Sequence, residues 1–153
     1  MKFQCLTEDS NKTKELGFLL SRHLFVGAVV TLTGDLGAGK TTFTTGVAKG
    51  LGINEKVNSP TFNILKCYFS TPLSLFHIDA YRLNEGNKDI GLEEFIEGDG
   101  VCFIEWPNFI EELIDETQVL NVDIKNCGDN LREITFTTQN SKYSEFFKCL
   151  EAK

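Results

Sequence analysis

Residues 34–41 read Gly-Asp-Leu-Gly-Ala-Gly-Lys-Thr. This is the pattern in which backbone amides surround a nucleotide's phosphates and a lysine reaches their outer oxygens. It works only where a strand delivers it and a helix leaves it, so it constrains the fold as strongly as the ligand. Both neighbours are present in the chain. Ala28 to Thr33 is a short, apolar, β-branched run that reads as a strand buried on both faces. Thr41 to Leu51 carries Phe43, Val47, Ala48 and Leu51 at helical spacing, with a stop expected at Gly50 and Gly52. A glycine turn without ligand would leave Lys40 and a row of inward-pointing amides lacking a counter-charge. The chain is therefore expected to bind a nucleoside triphosphate.

The residue types in the octet divide the work. Gly34, Gly37 and Gly39 permit backbone conformations and close approaches that a Cβ would block, so successive N–H groups can converge on a β-phosphate. The helix that begins near Lys40 adds its dipole. Lys40 supplies a mobile charge to the β- and γ-phosphates, and the Thr41 hydroxyl is the expected protein ligand of Mg²⁺. Loss of the Lys40 ammonium is expected to harm hydrolysis more than folding.

Size and charge narrow the function classes. The 153 residues suit one domain spanning 1–153, a single sheet with flanking helices and little room for a second module. A net charge of −7, with no run of lysines or arginines, argues against direct tight binding of RNA. No apolar stretch is long enough to cross a membrane and the N-terminus lacks a signal-peptide core, so a soluble, cytoplasmic protein is expected. The five cysteines are odd in number, widely spaced and without a Cys-x-x-Cys pair. They read as ordinary, mostly buried thiols rather than a disulfide framework or zinc site.

Periodicity predicts a first strand over 2–6, then a helix capped by Asp9 or Ser10 with Leu16, Leu19, Leu20 and Leu24 on one face. Strands are expected over 62–69 and 73–78, joined by the turn Ser70-Thr71-Pro72. A buried strand over 101–104, a hairpin of 119–124 with 131–137 around Gly128-Asp129-Asn130, and a closing helix over 141–150 follow. Crossovers together with hairpins imply an α/β fold, a three-layer sandwich of the phosphate-binding-loop NTPase kind. Its sheet should be mixed and mostly parallel, with helices flanking it.

A phosphate-binding loop needs an acidic residue at the end of a second strand to hold its metal. Two strands offer one: the run Leu75 to Ile78 ends in Asp79, and the run Val101 to Ile104 ends in Glu105. A parallel strand would deliver either carboxylate to the carboxyl edge of the sheet, beside the phosphates. One can anchor the metal while the other orients water or makes a second metal contact; taken alone, each could equally be a solvated cap. Ser59-Pro60-Thr61-Phe62 could present Thr61 to the γ-phosphate, or be a tight turn into the next strand. His77 reads as a packed, hydrogen-bonded side chain or a catalyst. Trp106 reads as core packing or a lid, and Tyr81 and Arg82 as contacts to a partner or nucleotide, Arg82 alternatively as a surface ion pair. The acidic stretch Glu111 to Glu116 reads as a solvated helix face.

Four segments together resemble the TsaE (YjeE) family, a bacterial ATPase needed for threonylcarbamoyladenosine modification of tRNA. They are the octet with Thr42, Ser59 to Phe62, His77-Ile78-Asp79-Ala80-Tyr81-Arg82-Leu83, and Ile104-Glu105-Trp106-Pro107. They occur in order over nearly the whole chain. The resemblance implies ATP and Mg²⁺ as cofactors, with Thr41 and Glu105 as metal ligands and Asp79 acting in hydrolysis or the metal's outer shell. It implies that Gly37, Ala38, Gly39, Lys40, Thr41 and Thr42 wrap the phosphates. It places Thr7 to Asp9 near the adenine and Arg132 near the nucleotide. It also implies a TsaB–TsaD type partner complex, contact with tRNA only through that complex, and none with membrane. Phe62 in place of the commoner tyrosine, a small Ala80, and the acidic segment after Pro107 depart from the family pattern.

The octet alone also permits a small-molecule kinase or a nucleotide-dependent binding switch. A kinase usually closes an arginine-rich lid, and the chain has only Arg22, Arg82 and Arg132. A GTP switch would carry Asn-Lys-x-Asp, but Asn87-Lys88-Asp89 is followed by Ile90.

Overall fold

The structure, a computed structural model, describes residues 1–35, 37–58, 64–81, 83 and 91–152. The motif Ser59 to Phe62, together with Leu36 and Arg82, lies outside the described residues.

Seven strands form one sheet: β1 (Lys2–Thr7), β2 (Val29–Thr33), β3 (Leu65–Tyr68), β4 (Leu75–Asp79), β5 (Val101–Glu105), β6 (Leu120–Asn126) and β7 (Arg132–Thr138). Their order across the sheet is β1-β7-β6-β2-β5-β4-β3. β2 pairs in parallel with β5 and β6, and β4 with β5; the pairs β1–β7, β6–β7 and β3–β4 are antiparallel. Only β3 and β7 therefore run against the common direction, and the expected mixed, mostly parallel α/β sheet is borne out. The phosphate-binding strand β2 sits between two parallel neighbours and is buried along Val29 to Leu32. Its continuous apolar character follows from having both faces covered.

One face packs on α1 (Ser10–Ser21), α2 (Lys40–Gly50) and α3 (Ser144–Glu151) through Val30, Leu32, Phe103, Val122, Ile134 and Phe136. The other face, centred on Val29, Ile78, Cys102 and Ile104, is covered by short 3-10 turns at Leu92–Glu94 and Pro107–Leu113. The sheet's alternation therefore sends residues 75, 77 and 79 of β4, and 101, 103 and 105 of β5, toward the α2 side.

Asp9 caps α1, its Oδ1 accepting from Lys12 N at 2.9 Å. α2 stops at Gly50 and Gly52, as expected from the sequence. Gly52, with φ of +82°, takes the left-handed position, while Ile53 N donates to Ala48 O at 2.9 Å and Gly52 N to Lys49 O at 3.1 Å. Gly50 is the last residue of the helix, and a Cβ there would strike the Ser21 side chain. Gly46 faces the Lys14 carbonyl in the same manner, so α1 and α2 touch backbone to backbone. The cysteines also differ from expectation: Cys102 is buried, Cys5, Cys67 and Cys149 are partly exposed, and Cys127 is exposed. Neighbouring strands and helices fill the sheet interior, whereas Cys127 lies just past β6 in the hairpin turn.

Candidate active site

The N-terminus of α2 is open by construction of the sequence. Gly39 occupies the capping position with φ of +109°, no side chain caps the first amides, and the first turn carries no acid. At Gly34 a Cβ would collide with the Ile124 carbonyl, so only glycine lets the loop leave β2 beside β6. Ala38 is buried in the core and contributes through its backbone, its N–H donating to Asp35 O at 3.0 Å.

A cavity of about 260 Å³ lies in front of this helix end, lined by Gly37, Gly39, Lys40, Thr41, Thr42, Asp79, Glu105 and Trp106. The two candidate carboxylates reach it because β4 and β5 are parallel and in register, with Asp79 opposite Glu105. The pairing is tied one residue further, Ala80 N donating to the Glu105 carbonyl at 3.0 Å. Seven candidate site residues named from the sequence, and Trp106 with them, thus meet around one space.

Lys40 is only 7% exposed, and its Nζ donates to Gly34 O at 2.8 Å. It stands 3.7 Å from Glu105 Oε1 and 4.9 Å from the centre of the Trp106 ring. Hydrogen bond, ion pair and cation–π contact together hold the ammonium inside the loop. Glu105 is 4% exposed, and its other oxygen, Oε2, lies 2.6 Å from His77 Nε2. A carboxylate only accepts, so the imidazole hydrogen belongs on Nε2. His77 is fully buried and its Nδ1 has no partner among the described residues. An unpaired buried N–H costs about 1–3 kcal/mol, so a bare Nδ1 with Nε2–H is the tautomer that fits both positions.

Asp79 is partly exposed, and its Oδ1 accepts from Tyr81 N at 3.1 Å. Burial pushes its carboxyl above the usual carboxylate range, with the Glu105 charge adding to the effect and the Tyr81 N–H opposing it. Trp106 immediately follows Glu105 in a left-handed conformation, φ +58°. For a bulky residue this stores about 1–2 kcal/mol, and it turns the indole back over Lys40. Tyr81 packs on Trp106 with ring centres 5.0 Å apart and stays half exposed, extending an aromatic wall outward.

A second, smaller cleft of about 50 Å³ adjoins Gly39 and Thr42, lined also by Ser10, Thr13, Asn130 and Arg132. Arg132 Nη1 donates to Asn126 Oδ1 at 3.0 Å and to the Asp129 and Leu131 carbonyls at 3.1 and 3.0 Å, fixing the guanidinium beside the loop. Thr7 and Asp9 line neither space. The Thr7 hydroxyl bonds that of Thr13 at 2.8 Å and Asp9 caps α1, so both support the cleft from behind.

The residues fit a Mg²⁺–nucleotide. Mg²⁺ usually takes one or two carboxylates, with phosphate and water completing its shell, rather than an all-protein cage. Thr41, Glu105 and Asp79 border the phosphate cavity, and no group of three or more His, Cys, Asp or Glu suited to a metal occurs among the described residues.

Comparison with known proteins agrees with this geometry. The sequence model of the family described as "Threonylcarbamoyl adenosine biosynthesis protein TsaE" matches residues 7–134. The chain belongs to the TsaE family. It is 47% identical over 137 residues to "tRNA threonylcarbamoyladenosine biosynthesis protein TsaE" of Bacillus subtilis, covering 90% of this chain and 86% of the relative. The protein of the same name from Treponema pallidum is 41% identical over 134 residues, covering 86% and 98%. A crystal structure of Bacillus subtilis YdiB superposes with a TM-score of 0.84 at 39% identity, covering 99% of this chain and 95% of that one. The described parts of the segments that carry the TsaE-family resemblance build one site where β2, α2, β4 and β5 meet.

One feature of this TsaE-family site escaped the sequence. His77 was weighed without its partner, although residues 77, 79 and 105 share one face by strand parity, and that alternation was the available signal. Of the two readings of Trp106, core packing and a lid, the structure shows the ring lining the cavity over Lys40, where its left-handed backbone turns it. Among the described residues, no helix is long and apolar enough to cross a membrane.

Proposed function

We propose that this chain binds and slowly hydrolyses ATP with Mg²⁺ in the formation of threonylcarbamoyladenosine in tRNA, acting on a TsaB–TsaD type protein complex. The observation that carries this reading is the convergence of Lys40, Thr41, Asp79 and Glu105 on one cavity before the uncapped end of α2, in a TsaE-family chain.

The amides from Gly37 to Thr42 receive the phosphates, and Lys40 leaves the Gly34 carbonyl to meet their outer oxygens. Thr41 and Glu105 hold the metal, which when bound neutralises charge on the phosphates. Asp79, with its raised pKa, orients the attacking water or holds the outer shell. Arg132, with Ser10 and Thr13, borders the side on which the nucleoside lies, and Thr7 and Asp9 brace that wall. Slow basal turnover follows from the resting contacts: Lys40 and Glu105 are engaged with each other, and a docking partner must help to separate them.

The test is reconstituted tRNA modification with and without this chain, using ATP or a non-hydrolysable analogue. Modification that needs both the chain and hydrolysable ATP supports the proposal. Equal modification without the chain, or chain-alone hydrolysis as fast as that of the assembled complex, refutes it.

A further inference from the structure

The 2.6 Å contact between His77 Nε2 and Glu105 Oε2 joins two buried side chains on different strands. In the register of β4 and β5, His77 stands opposite Phe103 and Asp79 opposite Glu105. His77 is therefore the diagonal neighbour of Glu105 on the same sheet face. The two Glu105 oxygens then have different surroundings. Oε2 is taken by the imidazole, while Oε1 lies on the Lys40 side, toward the phosphate cavity. A glutamate side chain has three rotatable bonds, and without a second anchor it could follow the Lys40 ammonium.

We propose that His77 is a positioning residue that fixes Glu105 so that Oε1 alone is presented to the metal of the bound nucleotide. This rests on the reading of Glu105 as a metal ligand. The role is more specific than packing. The imidazole spends its single N–H on the carboxylate and leaves Nδ1 without a partner among the described residues. A purely structural residue at this interior position would satisfy its polar atoms or have none. Hydrogen-bonded partners of metal ligands typically change metal affinity or activity 10- to 100-fold when removed. Phosphate binding by the α2 amides and Lys40 does not pass through His77, so the predicted effect is confined to the metal-dependent part of nucleotide affinity.

Trp106 is the single tryptophan of the chain and lines the cavity, so its emission reports binding directly. The experiment titrates a non-hydrolysable ATP analogue into the full chain, once in excess Mg²⁺ and once in EDTA, and takes the ratio of the Kd in EDTA to the Kd in Mg²⁺. His77→Leu removes the donor at similar volume, and His77→Gln returns an N–H near the Nε2 position. The expected result is a ratio at least tenfold smaller in His77→Leu, EDTA affinity within threefold of wild type, and the ratio largely restored in His77→Gln. Thermal unfolding of each variant separates this from damage to the fold, which would weaken binding in both buffers and leave the ratio unchanged. Glu105→Gln run in parallel divides the two ideas. A ratio lowered by Glu105→Gln but unchanged by His77→Leu overturns the role of His77 alone; unchanged ratios in both overturn the metal-ligand reading as well.

Discussion

Lys40 Nζ lies 3.7 Å from Glu105 Oε1, and both side chains are almost wholly withdrawn from solvent. The residue expected to meet the phosphates is thus paired with the residue expected to meet the metal before either ligand arrives. Coulomb attraction in this setting is strong but is offset by the desolvation of both charges.

Breaking such a pair from one side costs about 3–5 kcal/mol when nothing compensates. Here the His77 contact remains with Glu105, so Lys40→Met should lower the unfolding free energy by about 2 kcal/mol, the worth of a hydrogen bond to a charged group. Turnover should fall about 100-fold or more, because a preorganised charge at the phosphates is lost. Urea denaturation of Lys40→Met, Glu105→Gln and the double variant checks the coupling: the double variant should be less destabilised than the sum of the singles. Strict additivity would mean that the two charges do not sense each other.

Asp79 carries the opposite sign of linkage from an ordinary surface carboxylate. Its pKa in the fold is raised above the reference 3.8, chiefly by burial. The folded state therefore keeps the proton more readily, and stability falls as pH rises from 3.8 through the raised value, then stays level. Asp79→Asn should raise the melting temperature at pH 7, lose that advantage in acid, and lower turnover about 100-fold if the carboxylate acts on water. Melting curves at pH 4 and pH 7 beside a turnover assay decide it. A melting temperature lowered at neutral pH would contradict the assigned environment.

Gly46 sits where a Cβ would meet the backbone of Lys14. Gly46→Ala must push α1 from α2, and overpacking of this kind typically costs about 1–3 kcal/mol. The loss should outweigh the better helix propensity of alanine, roughly 1 kcal/mol. A denaturation midpoint equal to that of the wild type would show that the helices are not in backbone contact.

Arg132 is held beside Gly39 by three hydrogen bonds from one nitrogen to the β6–β7 turn. Arg132→Ala should weaken nucleotide binding roughly tenfold, about the value of one charge-assisted hydrogen bond. Arg132→Lys should restore little, because an ammonium cannot hold the turn and face the cleft as a planar fork does. Titration followed by Trp106 emission reads both; full affinity in Arg132→Lys would reduce the role of Arg132 to charge alone.

Most of the architecture was legible because its signals are local. The buried run ending at Thr33, the octet and the alternation of apolar residues each report a structure made by neighbours in the chain. Asp79 and Glu105 could be named as strand-end carboxylates for the same reason. The end of α2 was legible from Gly50 and Gly52, but what each of them faces was not. At Gly50 that is the Ser21 side chain, which no local pattern reveals. The partial exposure of most cysteines was misjudged on similar grounds, since burial is set by the elements stacked above a residue rather than by its type.

The sequence by itself determined that a phosphate-binding loop links a buried strand to a helix, and that acids end two further strands, because such backbone and period-two requirements are written in consecutive residues. Only the tertiary structure decided which groups those residues engage. The sheet register brings His77 to Glu105 across 28 positions, and the arrival of β5 beside α2 brings Glu105 to Lys40. The left-handed turn at Trp106 lays its ring over the same ammonium. Hydrogen bonds and ion pairs depend on separations of a few ångströms in space, and those distances exist only once parallel strands and close-packed helices have brought distant parts of the chain together.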